Sequence, residues 1–337
     1  MRPGRAGAPD TPTYGGQAVI EGVMMRGPEG YCVAVRRPGG EIVTRYRPCP
    51  RPSRRRGFLG WPFVRGLAAL VDALSVGIES LLYSAEEVSG EGEKLTRTES
   101  ALTVVISLAL SVGLFMILPT VAAGPLVWLG ASPALVNLAE GLVRLAILVA
   151  YVRIIAFMPD IRRVYQYHGA EHKILNAYEA TGSFSPADAA SFSTSHARCG
   201  TSFLLFVVLV SIVLFSFLGW PNVWARIAWR LGLLPVIAGV AYELIQLGAR
   251  SRSPLIRVLV APGLWLQSLT TRPPDTDQLE VASAALAGVL SAGPGGSERP
   301  EGDAAGPAAE DAPGAAAEDA PGAAARQASA GPALKGR

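Results

Sequence analysis

All three histidines of this 337-residue chain fall within one short region, residues 168–196. His168 and His172 are four residues apart in the string YHGAEHK, and on an α-helix this spacing places both imidazoles on one face. Such a pair can bind one metal ion from a single helix. His196 and Cys199 follow farther along and add a third imidazole and a thiol. We predict a Zn²⁺ site in which His168, His172 and His196 are ligands, with Cys199, a carboxylate or water as the fourth.

Charged residues near these ligands could supply the other groups that a hydrolytic site needs. Glu171 is a candidate general base acting on a water molecule whose pKa a Zn²⁺ ion can lower to about 7. Lys173 and Arg198 are expected to orient an anionic group, such as a lipid phosphate or a carboxylate. Further carboxylates considered as additional ligands are Glu21, Glu179 and Glu243.

The same string matches a known metalloprotease pattern. His168-x-x-Glu171-His172 fits the H-x-x-E-H motif of inverted zincins, which expects a carboxylate ligand well downstream, and Glu243 lies at a suitable separation. Three fixed residues in five recur by chance, however, and the inverted-zincin fold is soluble. A plainer interpretation is that the histidines bond backbone groups or lipid headgroups. Cys199 would then be a small buried side chain, and Glu179 a solvated one.

Long apolar blocks predict an integral membrane protein. Half of the residues are hydrophobic, and no charged residue occurs from Ala101 to Ala139. About 20 apolar residues suffice for one helical crossing. The predicted fold class is a mainly α, polytopic helical membrane protein with about four spanning helices, amphipathic helices and a small N-terminal β-rich module. The predicted spans are residues 101–123, 132–158, 201–220 and 231–249.

Three features of these spans predict local structure. Helix breakers at residues 119–125 are expected to end the first span. Glu140 and Arg144 in the second span have the i, i+4 spacing that allows them to pair. Glu243, the only charge of the fourth span, needs a partner across the bundle, a proton or the metal ion.

The remaining sequence divides into a soluble module, amphipathic helices and two tails. Residues 14–56 predict a β-rich cytoplasmic module, with strands at 31–36 and 41–46, that ends in a basic linker. Residues 57–292 predict the helical membrane domain, with a His-bearing loop at 159–200. Residues 1–13 and the Ala/Gly/Pro/Glu-rich residues 293–337 have too few large apolar side chains to fold and are predicted to be disordered.

Amphipathic helices are predicted at both ends of the membrane domain. Residues 61–83 are apolar except for Arg65, Asp72 and Glu79, whose seven-residue spacing forms a narrow polar stripe, and this favours an interfacial position. Residues 254–269 are also expected at the interface. Asp277-x-x-Glu280 resembles a capping pair that opens a last helix.

The distribution of Lys and Arg predicts the orientation in the membrane. The loop before the second span has neither residue, whereas the loop after it has four: Arg162, Arg163, Lys173 and Arg198. This pattern places both termini and the His-bearing loop on the cytoplasmic side of the cell (inner) membrane. Arg226 and Arg230, in the next loop, argue the other way. Three cysteines without a C-x-x-C pair fit a reducing face.

Four ordered blocks of sequence resemble the YqhQ-like family of bacterial membrane proteins. They are GGQAVIEGVMMRG at 15–27, YHGAEHK at 167–173, HARCGTSF at 196–203, and Q-x-LTT with LEVA within 267–282. The resemblance runs from about Tyr14 to about Leu290, with Ala197 standing where Pro is expected. It implies a metal-dependent enzyme of the membrane and leaves the reaction undefined.

Three functions are compatible with these features. The first is a metal-dependent enzyme, a hydrolase acting at the cytoplasmic membrane surface on a lipid or a membrane protein. The second is a non-catalytic scaffold or assembly factor in which a structural metal site holds the His-bearing loop. The third is a transporter subunit, with Glu140, Arg144 and Glu243 lining a path. A net charge of +3 is too small to indicate nucleic-acid binding.

Overall fold

A computed structural model describes residues 14–49, 61, 64–89, 96–251 and 253–292, which all belong to one compact unit of the chain. The predicted tails at 1–13 and 293–337 and most of the basic linker lie outside the described residues. The described part is mainly helical, with one small sheet at its N-terminal end. The predicted fold class is therefore confirmed.

The sheet has four antiparallel strands in the order β1-β2-β3-β4. Their bounds are β1 Gly15–Val19, β2 Gly22–Arg26, β3 Gly30–Arg36 and β4 Ile42–Pro48. The two predicted strands are confirmed as β3 and β4, and Gly40 in the turn between them has a φ of 89°, which favours glycine. The β1–β2 hairpin is not predicted from the sequence, because its glycines and mixed polarity hide the two-residue alternation of a strand.

The helices follow the sheet in the chain. They are α1 Val64–Ser89, α2 Arg97–Val112, α3 Leu118–Ala123, α4 Pro125–Trp128, α5 Pro133–Ile155, α6 Pro159–Thr181, α7 Pro186–Ala189, α8 Gly200–Ser216, α9 Val223–Arg250, α10 Pro254–Thr270 and α11 Thr276–Ser291. A π-helical segment, Gly113–Ile117, joins α2 to α3.

Four helical stretches of the described chain are long and apolar enough to cross a membrane. They are Val64–Ser89, Ala101–Trp128, Pro133–Ile155 and Trp224–Gly248. The last three correspond to predicted spans, while the predicted span at 201–220 is α8, a shorter apolar helix. The first is α1, the helix expected at the interface, and its position relative to a bilayer stays a prediction.

The sheet lies between α1 on one face and α6 with α11 on the other. Val23 and Met25 of β2 pack in one core cluster with Leu286 of α11. Met24, between them in sequence, packs in a second cluster with Val76 of α1. Because successive side chains of a strand point to opposite faces, β2 is buried on both sides. This packing fixes α6 against the sheet.

Charged residues of α1 pair with the sheet. The guanidinium of Arg26 donates to both carboxylate oxygens of Asp72, at 2.9 and 2.8 Å. The hydroxyl of Tyr31 donates to Glu79 at 2.6 Å. The polar stripe of α1 predicted from the sequence therefore faces protein, while Val71 and Leu74 on the same helix are exposed.

The first span is longer than predicted, because the helical path continues through residues 119–125 to Trp128. Pro119 has no N–H to donate to the carbonyl of Phe115, four residues earlier. The π-helical segment before it loosens the turn, and the carbonyl of Phe115 accepts a hydrogen bond from Nε of Arg144 at 2.9 Å instead. A side chain from a neighbouring helix thus satisfies the group that the proline leaves free.

The capping of the last helix differs from the prediction. Asp275 is the N-cap residue of α11, and its backbone N–H donates to Oε1 of Gln278 at 2.9 Å. Asp277 and Glu280 lie inside the helix. The capping pair is therefore shifted by two residues, since a helix start is marked by several adjacent polar residues that sequence alone does not rank.

Candidate metal centre

Helix α6 carries His168, Glu171 and His172 within one continuous helix, in the region where the sequence analysis expects a loop. Pro159 lies in the first turn, where its missing N–H costs no intrahelical bond. Gly182 ends the helix in the left-handed conformation, with a φ of 80°. A helix bounded in this way places the two imidazoles one turn apart on the same face.

The structure brings three of the four predicted ligands together. His168, His172 and Cys199 each offer one ligand atom, and these atoms lie within 4.8 Å of one another. Nε2 of His168 is 3.1 Å from Sγ of Cys199, and the two imidazole centroids are 4.4 Å apart. Ligand atoms of a tetrahedral Zn²⁺ are separated by about 3.3–3.6 Å, given the usual bond lengths. Small side-chain adjustments would satisfy that geometry.

Backbone carbonyls fix the tautomer of both histidines. Nδ1 of His168 donates to the carbonyl oxygen of Thr270 at 2.9 Å, and Nδ1 of His172 donates to that of Thr194 at 2.5 Å. A carbonyl can only accept, so Nδ1 carries a proton in each ring, and in a neutral imidazole Nε2 keeps the lone pair that a metal ion would use. Metal-bound histidines commonly have this second bond to a carbonyl. Nε2 of His172 is buried and has no hydrogen-bond partner in the described part of the chain.

Cys199 occupies the N-cap position of α8. Its Sγ accepts the backbone N–H of Thr201 at 3.4 Å and lies 3.1 Å from the Thr201 hydroxyl. Helix N-termini stabilise thiolates, because the unpaired N–H groups and the helix dipole favour negative charge. The position of this thiol at the start of a helix therefore suits a metal ligand.

Glu171 is the carboxylate beside the three ligand atoms. Its Oε2 lies 3.9 Å from Nε2 of His168 and 3.7 Å from Nε2 of His172. The backbone N–H of Gly16 in β1 donates to the carboxylate. Burial raises the pKa of Glu171, and His168, His196 and the Gly16 bond oppose that rise.

Gly16 is a position where the close approach of two elements requires glycine. A Cβ there would lie 2.7 Å from the carbonyl oxygen of Met24 and 2.8 Å from Cγ of Glu171. Any side chain would therefore displace the strand or the carboxylate. The N-terminal sheet thus completes the surroundings of Glu171.

Gln267 of α10 holds the segment that carries His196 and Cys199. The backbone N–H of His196 donates to Oε1 of Gln267 at 2.8 Å, and Nε2 of Gln267 donates back to the carbonyl of His196 at 2.8 Å. Nε2 also lies 3.3 Å from the hydroxyl of Ser202 in α8. Gln267 is fully buried, so these bonds have no competition from water.

His196, the fourth predicted ligand, faces a different partner. Its ring centroid is 5.6 Å from that of His172, but its Nε2 lies 3.6 Å from Oε2 of Glu179. Glu179 also pairs with Arg198. Burial raises the pKa of Glu179, but His196 and Arg198 outweigh it and the net shift is downward. Three predicted site residues therefore form a group beside the ligand cluster.

Two other predicted site residues bond neighbouring segments. Nζ of Lys173 donates to the carbonyls of Ala190 and Phe192, at 2.6 and 2.7 Å. Glu21 accepts from Arg163 and from the hydroxyl of Tyr167. Each contact ties α6 to an adjacent segment, so the proposed substrate-orienting role of Lys173 stays a prediction.

The structure places Glu243 outside the ligand cluster. Its carboxylate accepts from Nε of Arg65 in α1 at 2.8 Å, so the downstream ligand expected from the inverted-zincin pattern is not reproduced. Glu140 pairs with Arg144, as predicted, and also with Arg230. The charges that motivated the transport hypothesis are therefore ion-paired.

The sequence analysis misses the residues that position the ligands. Gln267 and Thr270 belong to the Q-x-LTT block, and Gly16 belongs to the N-terminal block. All three residues therefore lie in strings that carry the family resemblance. Residue types and spacing do not predict a role for Gly16 or Thr270, because these two residues contact Glu171 and His168 through backbone atoms. The tertiary structure alone reveals that these blocks meet the histidines.

Comparisons with known proteins define the family. Residues 61–292, more than half of the chain, match the family described as "Protein of unknown function (DUF1385)". The chain is 35% identical over 289 residues to the uncharacterized protein YqhQ of Bacillus subtilis (strain 168), which covers 80% of this chain and 90% of that protein. No solved structure matches the chain. Neither description assigns an activity. The chain therefore belongs to this family of YqhQ-like proteins.

Proposed function

We propose that this chain is an integral membrane, metal-dependent enzyme, a hydrolase, in which His168, His172 and Cys199 hold Zn²⁺ or a similar ion. The observation that carries the proposal is the buried Nε2 of His172, which lacks a hydrogen-bond partner among the described residues and belongs to the convergent ligand group. Leaving such a nitrogen unpaired costs about 1–3 kcal/mol, which a metal bond would offset. Two imidazoles and a thiolate form a donor set that suits Zn²⁺.

The small number of protein ligands in this group favours a catalytic role. A catalytic zinc keeps one position for water or substrate, whereas a structural zinc has four protein ligands. Three ligand atoms of the described residues converge here, and Oε2 of Glu171 lies 3.9 and 3.7 Å from the Nε2 atoms of His168 and His172. A bound divalent ion would supply Lewis-acid chemistry, polarising water or a substrate oxygen.

Glu171 would act as the general base. In this role its carboxylate accepts a proton from the attacking water and returns it to the leaving group. The N–H of Gly16 orients the carboxylate, so the proton acceptor is held in place before substrate binds.

We place the site at the cytoplasmic surface of the cell membrane, with both termini on that side. The Lys and Arg residues near the His-bearing region support this orientation. The opposing argument from Arg226 and Arg230 is weakened, because the charge of Arg230 is paired with Glu140 inside the bundle. Only Arg226 then remains to argue the other way.

Elemental analysis of the full chain in a non-ionic detergent tests the metal site. We expect about one equivalent of metal per chain. His172→Ala and Cys199→Ser should lose it, whereas Glu171→Gln should keep it. His196→Ala, which removes the imidazole facing Glu179, is the control and should also keep it. Wild-type protein without bound metal would refute the proposal.

Cobalt substitution tests whether the site is open. The Co²⁺-loaded protein should show a thiolate charge-transfer band that Cys199→Ser abolishes. Acetohydroxamate should shift the visible bands if one position is free. With p-nitrophenyl acetate and bis(p-nitrophenyl) phosphate as probes, Glu171→Gln should reduce hydrolysis by about 100-fold or more while the metal stays bound.

A structural metal site is the second candidate, and the burial of the cluster favours it. His172 is 1% exposed, Glu171 4% and Cys199 5%. The ion would then fasten α6 to the start of α8. If the site is structural, acetohydroxamate should leave the cobalt spectrum unchanged, and Glu171→Gln should not change the rate at which either probe ester is hydrolysed.

A further inference from the structure

A second cluster of charged residues lies at the far end of α8 from the metal centre. Cys199 is at the N-terminal end of that helix and Phe215 near its C-terminal end. At 1.5 Å per residue, the two are separated by about 24 Å. The guanidiniums of Arg144 and Arg230 lie 5.9 and 5.4 Å from the centroid of the Phe215 ring. We call Glu140, Arg144, Arg226 and Arg230 the arginine cluster.

Both oxygens of the only carboxylate in the arginine cluster accept hydrogen bonds. Glu140 is 1% exposed and accepts from Arg144 at 2.7 Å and from Arg230. The hydroxyl of Thr120 lies 3.0 Å from its Oε1 and accepts from Arg230 at 2.9 Å. Glu140 is also the only acidic residue in 101–159, and 201–242 contain none. The cluster therefore has three guanidiniums and one carboxylate.

Glu140 forms ion pairs with Arg144 and Arg230 but, among the described residues, not with Arg226. Arg226 lies in the first turn of α9, and its guanidinium is 4.0 Å from the centroid of the Trp220 ring. Its Nη1 is buried, with no hydrogen-bond partner in the part of the chain that the structure describes. Arg226 as a whole is half-buried, but this one donor is shielded from water without an acceptor. In a cluster with more guanidiniums than carboxylates, such a donor favours a bound anion.

The space next to Arg226 limits what the anion can be. A cavity of about 10 Å³ is lined by Asn137, Arg226, Trp229 and Arg230, among others. This volume holds about one water-sized atom group. Trp224 and Trp229 are largely exposed, as expected of side chains at a membrane–water interface. One anionic oxygen fits inside, while the rest of the ligand must remain at the surface.

We propose that the arginine cluster binds a phosphate group at the membrane surface opposite the metal centre, with Arg226 as the principal contact. Guanidinium is the side chain best suited to phosphate, because its planar donors match the oxygens. The headgroup of a phospholipid in that leaflet brings such a group to the depth of the exposed tryptophans. This inference does not depend on the proposed enzymatic function.

Binding of short-chain phosphatidylglycerol to the full chain in a non-ionic detergent tests the proposal. Native mass spectrometry counts bound lipid, and thermal unfolding measures stabilisation. Arg226→Gln should weaken binding about tenfold, the effect of losing one charge-assisted hydrogen bond. Arg153→Gln is the matched control, since Arg153 is an exposed arginine of α5. Metal content should be the same in every variant.

Further arms keep the test decisive. Arg226→Lys keeps the charge and should bind between wild type and Arg226→Gln, which covers the case that the glutamine variant is unstable. Inorganic phosphate that competes with the lipid identifies free phosphate as a source, and protection by lipid alone identifies the headgroup. Equal lipid affinity of Arg226→Gln, Arg153→Gln and wild type would overturn the proposal.

Discussion

Replacing Gln267 with alanine removes the clamp between α10 and the segment that carries His196 and Cys199. The side chain is fully buried and forms a reciprocal pair of 2.8 Å hydrogen bonds with the backbone of His196. Alanine leaves the N–H and the carbonyl of His196 without partners in the protein interior. It also removes the contact with Ser202.

The loss of stability can be calculated from these two backbone groups. Each buried group that loses its partner costs about 1–3 kcal/mol, so Gln267→Ala should lower the free energy of unfolding by about 2–6 kcal/mol. At about 2 °C per kcal/mol for a domain of this size, the Tm should fall by about 4 °C or more. Because Cys199 lies three residues after His196, the change should also reduce metal content.

Thermal unfolding in detergent, followed by elemental analysis, measures both effects. Gln246→Ala is the matched control, since Gln246 is partly buried and makes one 3.2 Å bond to the hydroxyl of Tyr242. Gln267→Glu keeps the side-chain size but turns a donor into an acceptor facing the carbonyl of His196, and it should destabilise as well. Equal Tm values for Gln267→Ala and Gln246→Ala would refute the reasoning.

Two further predictions concern the sheet. Burial raises the pKa of Cys32 to about 12, so its thiol stays protonated at pH 8. Iodoacetamide should therefore not alkylate Cys32 until the protein unfolds. Equal alkylation rates of the folded and unfolded protein, measured by mass spectrometry, would contradict this. Gly16→Ala should destabilise by about 1–3 kcal/mol through its clash with Met24 and Glu171, whereas Gly15→Ala, whose Cβ meets nothing within 4 Å, should be neutral. Thermal unfolding of the two variants decides the point, and equal stability would show that the approach at Gly16 can relax.

Local patterns account for the parts of the fold that the sequence predicts. The apolar blocks identify three of the four candidate spans, because hydropathy over one helix depends only on neighbouring residues. The turn at residues 37–40 predicts the β3–β4 hairpin for the same reason. The β1–β2 hairpin is missed, because β2 is buried on both faces and shows no alternation.

The candidate site shows the same division. On a helix, the spacing of His168 and His172 places their rings on one face. The structure provides that helix where the sequence predicted a loop, and the two ring centroids are 4.4 Å apart. Which distant side chains join them is a question of tertiary packing. Cys199 reaches His168, whereas His196 turns to Glu179.

Only the tertiary structure could decide which partners the charged residues have. Glu243 was a candidate ligand in sequence, yet it pairs with Arg65 on a helix far away in the chain. The sequence places Arg226 and Arg230 in a predicted loop, yet Arg230 is buried and pairs with Glu140. An ion pair depends on which helices are neighbours, and that depends on how every apolar face is buried at once. The sequence alone thus determined a membrane protein with two histidines four residues apart, and the tertiary structure decided that they lie on one helix and which groups surround them.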